Sequence, residues 1–199
     1  MANRKEIEMK LYVGADASSL MAKLAELGWK QTEREDQEDI YYTSKHNDFI
    51  KTEECLRVRI TPTFEQVTWK PPTSRAMRER GQYWKQEINV DITGQSDKIR
   101  LMLRQLDFVE YVAVKKHRLV FRADLDSIVA LDMVEPLGWF VEIETFAYSP
   151  TDGTRKNDEI AHLLGIHECP QINIPYRDLV KAGRVYSAVG DMSTAHHAK

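Results

Sequence analysis

Charge falls on every second residue in several short stretches of this 199-residue chain. Glu6, Glu8 and Lys10 alternate near the N-terminus, and Arg57 with Arg59, Lys116 with Arg118, and Glu142 with Glu144 repeat the spacing. Residues i and i+2 of a β-strand point to the same face, so each set lines one side of its strand. The opposite sides carry Ile7, Met9 and Leu11; Leu56, Val58 and Ile60; Val67 and Trp69; Val129, Leu131 and Met133; and Val141 with Ile143. The charges are grouped by sign, acidic on the first and last strands and basic on the middle ones. A sheet face bearing both kinds suits a metal-bound polyphosphate. Arg and Lys neutralise the phosphates, and carboxylates hold the cation that bridges to phosphate oxygens.

Elements that would position these residues follow from pattern and punctuation. Strands are expected at 4–13, 29–34, 37–42, 55–61, 65–70, 83–92, 111–121, 127–134 and 139–147. The pair around Pro62 forms a hairpin. Helices are expected at 16–28, capped by Asp16 and ended by Gly28, and at 96–106, 154–164 and 176–182. Their apolar stripes need a sheet face to cover, which turns the charged faces away from the helices. Short connections favour antiparallel pairing. The expected fold is α+β: an eight-stranded antiparallel β-tunnel or barrel with flanking helices and a C-terminal helix. One domain is expected over 1–185, with a small, polar, disordered tail over 186–199.

Composition narrows the function classes. Hydrophobic content of 42% and charged content of 30% describe a globular chain, and a net charge of −3 argues against a nucleic-acid partner. No apolar run is long enough for a membrane span, and the first strand begins at once, without a signal peptide. Cys55 and Cys169 form no disulfide or zinc spacing, which points to the cytoplasm. His162, His167 and Cys169 are read as helix-end and loop residues rather than a metal site.

The ordered motifs resemble the CYTH superfamily, or triphosphate tunnel metalloenzymes. The resemblance runs from residue 5 to about 182. It rests on Glu6-x-Glu8-x-Lys10, Gln37-x-Asp39-x-Tyr41, Leu56-Arg57-x-Arg59, Lys70, Lys116-x-Arg118, and Asp132 followed by Leu137-Gly138 and Glu142-x-Glu144. One position departs: a strand that often reads Arg-x-Glu-x-Glu is Lys85, Glu87 and Asn89 here, so an amide replaces a carboxylate. The resemblance implies that Lys10, Arg57, Arg59, Lys70, Lys85, Lys116 and Arg118 bind a triphosphate. Glu6, Glu8, Glu87, Asp132, Glu142 and Glu144 would hold Mg²⁺ or Mn²⁺.

The leading functional expectation is a class IV adenylyl cyclase, converting ATP to cyclic AMP and pyrophosphate, with Lys10 or Tyr41 as candidate general base. A triphosphatase acting on inorganic triphosphate, thiamine triphosphate or a nucleotide uses the same clamp. A non-catalytic polyphosphate-binding module is the third reading, favoured only by Asn89. Phe49, Tyr83, Trp84 and Trp139 are candidate base-stacking aromatics, with packing as the default role. Arg75, Arg78 and Arg80 lie on a basic loop over 71–81, and a homodimer is compatible with the resemblance.

Overall fold

The computed structural model describes residues 4–72, 87–187 and 190–191. The chain forms two compact units, Met1–Glu35 with Lys116–Lys199, and Asp36–Lys115. Its elements in chain order are β1 (Lys5–Gly14), α1 (Ser18–Glu26), β2 (Lys30–Ser44), β3 (Cys55–Ile60), β4 (Glu65–Lys70) and β5 (Ile88–Asp91). These are followed by α2 (Ser96–Gln105), β6 (Phe108–Arg122), β7 (Ser127–Val134), β8 (Gly138–Ala147), α3 (Pro150–Leu164) and α4 (Tyr176–Ala182). A short pair, β9 (Tyr186–Ser187) and β10 (Gly190–Asp191), comes last. The expected eight-stranded antiparallel sheet is present, in the order β1-β8-β7-β6-β2-β3-β4-β5. Among the described residues, that order ends at β1 and β5 rather than returning on itself.

In the first unit, Met9, Leu11, Leu119, Phe121, Val129, Leu131, Val141 and Ile143 form the buried face of the sheet. Leu20 and Leu24 of α1 and Ile160, Ala161 and Leu164 of α3 cover it. These are the apolar sides of the alternating strands, as the sequence pattern requires. In the second unit, Ile40, Tyr42, Leu56 and Val58 pack with Phe49, Ile92 and Leu103 of α2. Burying a Leu or Ile side chain is worth about 1.5–3 kcal/mol. These two cores offset the cost of the charged faces opposite them.

Local differences from the expected boundaries have physical causes. The two strands expected at 29–34 and 37–42 are one continuous β2. The acidic Glu35-Asp36 junction contains neither Gly nor Pro, so nothing turns the chain there. The hairpin between β3 and β4 is closed by Thr61, whose backbone N–H and hydroxyl both donate to the Phe64 carbonyl at 3.0 and 2.8 Å. Helix α3 starts four residues before the expected 154. The Ser149 hydroxyl accepts from the Asp152 N–H at 3.1 Å, and Pro150 occupies the first turn. At the opposite end, Gly165 adopts the left-handed conformation (φ 72°) that terminates the helix. The strand expected over 83–92 is described only from Ile88.

Gly153 explains how closely α3 sits on β1. A Cβ at this position would lie 2.5 Å from Ile7 Cγ1 and 2.8 Å from Ile7 Cβ. Neither atom is at the free end of its side chain, so helix and strand would have to separate. Asn157, one turn on, donates from Nδ2 to the Ile7 carbonyl at 3.0 Å and fixes the same approach. Gly153→Ala is therefore expected to destabilise the protein by about 1–3 kcal/mol. Chemical denaturation measures this, and an unchanged midpoint would show that the helix–strand approach tolerates a methyl group.

Candidate functional site

The polar face of the first unit is assembled by strand register. Glu8 lies opposite Glu144 and Lys10 opposite Glu142 across the β1–β8 pairing. Arg118 lies opposite Asp132 across β6–β7. Asp132 has no exposed surface, and Lys116 and Glu142 are also buried. Arg118 is bidentate to Asp132, with Nε 2.7 Å from Oδ1 and Nη2 2.6 Å from Oδ2. Lys116 Nζ adds a bond to Oδ2 at 3.0 Å. Arg118 Nη2 also donates to Glu142 Oε2. Buried charges are tolerated when paired in this hydrogen-bonded way.

The electrostatics separate these carboxyls. Burial opposes ionisation of Asp132, but Lys116 and Arg118 outweigh it and hold the group well below the usual carboxylate range. Burial is likewise outweighed at Glu142, chiefly by Arg118, so that carboxyl is also lowered. Glu144 behaves oppositely. Burial, then the negative charge of Glu142, Glu6 and Glu8, pushes it up to about 8, and Arg118 only partly opposes this. Glu6 and Glu8 themselves are exposed. Among the described residues no three His, Cys, Asp or Glu side chains are gathered as a ready ligand set.

Lys10 is fixed from the C-terminal side. Its Nζ donates to the Ile174 carbonyl at 2.8 Å. The segment before α4 runs along β1, with Tyr12 N–H donating to Pro170 O at 3.0 Å and Ile172 N–H to Lys10 O at 2.8 Å.

The second unit builds a parallel arrangement. Asp39 lies opposite Arg59, and Tyr41 opposite Arg57, across β2–β3. Arg59 is bidentate to Asp39, with Nε 2.6 Å from Oδ1 and Nη2 2.7 Å from Oδ2, and Arg57 Nη1 reaches Oδ2 at 3.1 Å. Burial opposes the charge on Arg57, but Asp39 raises its pKa further. Tyr41 is buried, and burial, reinforced by Asp39, raises its hydroxyl above the usual phenolic range, so it keeps its proton at neutral pH. Lys70 pairs with Glu87, whose carboxyl Lys70 lowers against the opposing effect of burial. The substituted position Asn89 accepts through Oδ1 from the Thr68 hydroxyl at 2.8 Å.

Lys85 lies outside the described residues, as do Arg75, Arg78, Arg80, Tyr83 and Trp84. Of the aromatic candidates, Phe49 belongs to the core of the second unit and Trp139 packs against that of the first. His162 and His167 stack with ring centroids 4.0 Å apart at the end of α3. Sequence reasoning counted Asp39 as part of a motif but gave it no role. Its alternation with Gln37 and Tyr41 was the available signal, and its partners became visible only with the strand register.

A family model described as CYTH domain matches residues 4–170. A Methanocaldococcus jannaschii protein named "putative adenylate cyclase" is 32% identical over 159 residues, which is 80% of this chain and 87% of that protein. A Pyrococcus horikoshii structure that is 28% identical superposes with a TM-score of 0.71, covering 90% of this chain and all of the other (100%). A Hippeastrum structure, described as a "putative adenylyl cyclase" that reveals a dominant triphosphatase activity, superposes with a TM-score of 0.65. It covers 92% of this chain and 97% of its own; at 15% identity that likeness is one of fold.

The raised Glu144 makes a pH prediction. Its folded pKa of about 8 exceeds the reference 4.5, so the folded state binds a proton that the unfolded chain has released between these values. Its contribution is fully present below pH 4.5 and is lost as pH rises to about 8. Asp132 and Glu142, both lowered, act in the other direction and lose their contribution only in acid. With divalent ions chelated, Glu144→Gln should remove the decline in stability between these limits, a difference on the order of a few kcal/mol. Melting curves of both proteins from pH 5 to 9 test it, and identical pH profiles would rule out Glu144 as the carboxyl responsible.

Proposed function

This chain belongs to the CYTH domain family of triphosphate-acting enzymes, and we propose that it is a divalent-metal-dependent adenylyl cyclase, converting ATP to cyclic AMP and pyrophosphate. The observation that carries this reading is the mixed-charge face of the first unit. There a basic pair, Lys116 buried and Arg118 half-buried, adjoins carboxylates so crowded that Glu144 is pushed up to about 8. The name of the M. jannaschii relative supports the cyclase branch.

A cation suits this donor set. Repulsion among Glu142, Glu144, Glu6 and Glu8 is what a divalent ion relieves, and all-oxygen donors favour Mg²⁺ or Mn²⁺. We assign Glu6, Glu8, Glu142 and Glu144 to hold it, with Glu87 and Asp132 as further candidates. Asp132, whose oxygens are taken by Lys116 and Arg118, orients that pair whether or not it also ligates. When bound, the ion neutralises phosphate charge and acidifies the attacking hydroxyl.

The protein's own groups do the rest. We assign phosphate binding to Lys10, Lys116 and Arg118 on the first unit and, separately, to Arg57, Arg59, Lys70 and Lys85 on the second. The ribose 3′-hydroxyl attacks the α-phosphorus, and pyrophosphate leaves. Arg118, held by both oxygens of Asp132, meets the developing charge with little loss of side-chain freedom, and Arg59 is held in the same way by Asp39 within its own unit. Tyr41 keeps its proton and serves as a hydrogen-bond donor rather than a resting base. Among the described residues, no helix is long and apolar enough to cross a membrane. Cys55 and Cys169 are not joined in a disulfide, and a cytoplasmic location is part of this proposal.

Triphosphate hydrolysis is the alternative, since the same clamp leaves the terminal phosphorus open to water. Incubation with Mg-ATP and Mn-ATP, with products resolved by chromatography, decides between them. Cyclic AMP with pyrophosphate is expected; ADP with orthophosphate would move the protein to the hydrolytic branch. ATP binding without any product would leave a binding module.

Two substitutions check the residue assignments. Glu8→Ala is expected to lower metal-dependent turnover by about 10²-fold or more with little loss of stability, because it removes carboxylate repulsion. Full activity in that variant would remove Glu8 from the site. Arg57→Ala is expected to weaken ATP more than AMP in parallel titrations, and equal losses would make Arg57 structural.

A further inference from the structure

We propose that Tyr176, through the face of its ring, is a positioning residue that holds the ammonium groups of Lys10 and Lys116 ready for the triphosphate. This rests on the triphosphate reading above and adds a residue outside the charged strands. Tyr176 is the first residue of α4 and is buried. Its ring centroid lies 4.4 Å from Lys10 Nζ and 5.2 Å from Lys116 Nζ, both within cation–π range. The two lysines come from strands β1 and β6 and are brought to one ring from sequence positions over 100 residues apart.

The ring is held rather than merely present. Phe140 packs edge-on against it, centroids 5.0 Å apart at 74°, and Tyr12 in turn packs on Phe140 at 5.1 Å. The chain leading into Tyr176 is tied to the strand that carries Lys10. Ile172 N–H donates to the Lys10 carbonyl, Leu11 and Gln171 form an isolated bridge, and Ile174 O accepts from Lys10 Nζ. Lys10 is therefore held by its own backbone partner segment, by a carbonyl and by a ring, all from residues 172–176.

A purely space-filling ring has no need of cations at its face, and Phe140 already supplies apolar bulk beside it. The Tyr176 hydroxyl is buried beside Glu142, and it is the ring face that contacts the two lysines. Lysine is a flexible four-carbon stem carrying a point charge, and two ammonium groups at one place repel. An electron-rich ring face offsets part of that repulsion and restricts both stems. Ligand binding then loses less conformational freedom.

The test measures Mg-tripolyphosphate binding by calorimetry, alongside ATP kinetics. Tyr176→Leu is expected to weaken tripolyphosphate by about tenfold or more and to raise KM more than it lowers kcat. Tyr176→Phe, which keeps the ring, is expected to return affinity to within about twofold. With Lys10→Met already in place, the further loss from Tyr176→Leu should shrink to about threefold or less, because one of the two cations is gone. If Tyr176→Leu does not fold, Tyr176→Met supplies the same comparison with bulk but no ring. Unchanged affinity in the ring-less variant, no recovery with Phe, or an equal loss in both backgrounds would each overturn the role. A wild-type protein that fails to bind tripolyphosphate would overturn the triphosphate reading itself, and this inference with it.

Discussion

A buried aspartate opposite an arginine is the interaction on which both charged faces depend. It occurs once in each unit, in the same form. Asp39 faces Arg59 and Asp132 faces Arg118 across an antiparallel pair, and in both cases Nε takes Oδ1 and Nη2 takes Oδ2. A second basic residue, two positions earlier on the arginine's strand, completes each carboxylate: Arg57 in one case and Lys116 in the other. Two cations on one strand face would repel if left alone. A single desolvated carboxylate fixes both, and in the first unit Glu142 adds a second carboxylate to Arg118. This arrangement fixes the basic side chains through the protein's own carboxylates.

The cost of that arrangement explains the rest of the architecture. Desolvating ion pairs this deeply is at best neutral for stability compared with apolar packing. The opposite face of each unit's strands must therefore be well covered. Val58, Val129, Leu131, Val141 and Ile143 are essentially inaccessible, and α1, α2 and α3 supply the covering side chains. Gly153 and Asn157 bring α3 onto β1 at close range, so the strand bearing Glu6, Glu8 and Lys10 is braced from behind. On its outer edge the same strand is braced by residues 170–172.

Much of this was legible in the sequence, because period-two alternation states which residues share a face and how charge is sorted among strands. The Lys116-x-Arg118 and Glu142-x-Glu144 pairs could be assigned to one surface without any coordinates. Pairing register could not be read in this way. Asp132 appeared as one more acidic candidate for a cation, yet its position opposite Arg118 makes it first the partner of two basic groups. Asp39 had no assigned role for the same reason. The contacts of Ile174 and Tyr176 with Lys10 join residues more than 160 positions apart, and no local pattern encodes them. Helix α3 begins four residues before the expected 154, and the missing side chain of Gly153 is what lets that extra turn dock on β1.

The placement of negative charge separates two roles that the sequence treats alike. Asp132 and Glu142 are held ionised by adjacent cations, so they are already satisfied within the protein. Glu144 is not: it is half-buried beside other carboxylates whose effect Arg118 only partly offsets, so it retains a proton at neutral pH. In the proposed function Glu144 would exchange that proton for a divalent cation, beside Arg and Lys groups assigned to phosphate. Apolar replacements of equal volume at Asp132 and its partners would leave a sheet of equal or greater stability. They would also abolish the difference between satisfied and unsatisfied carboxyls.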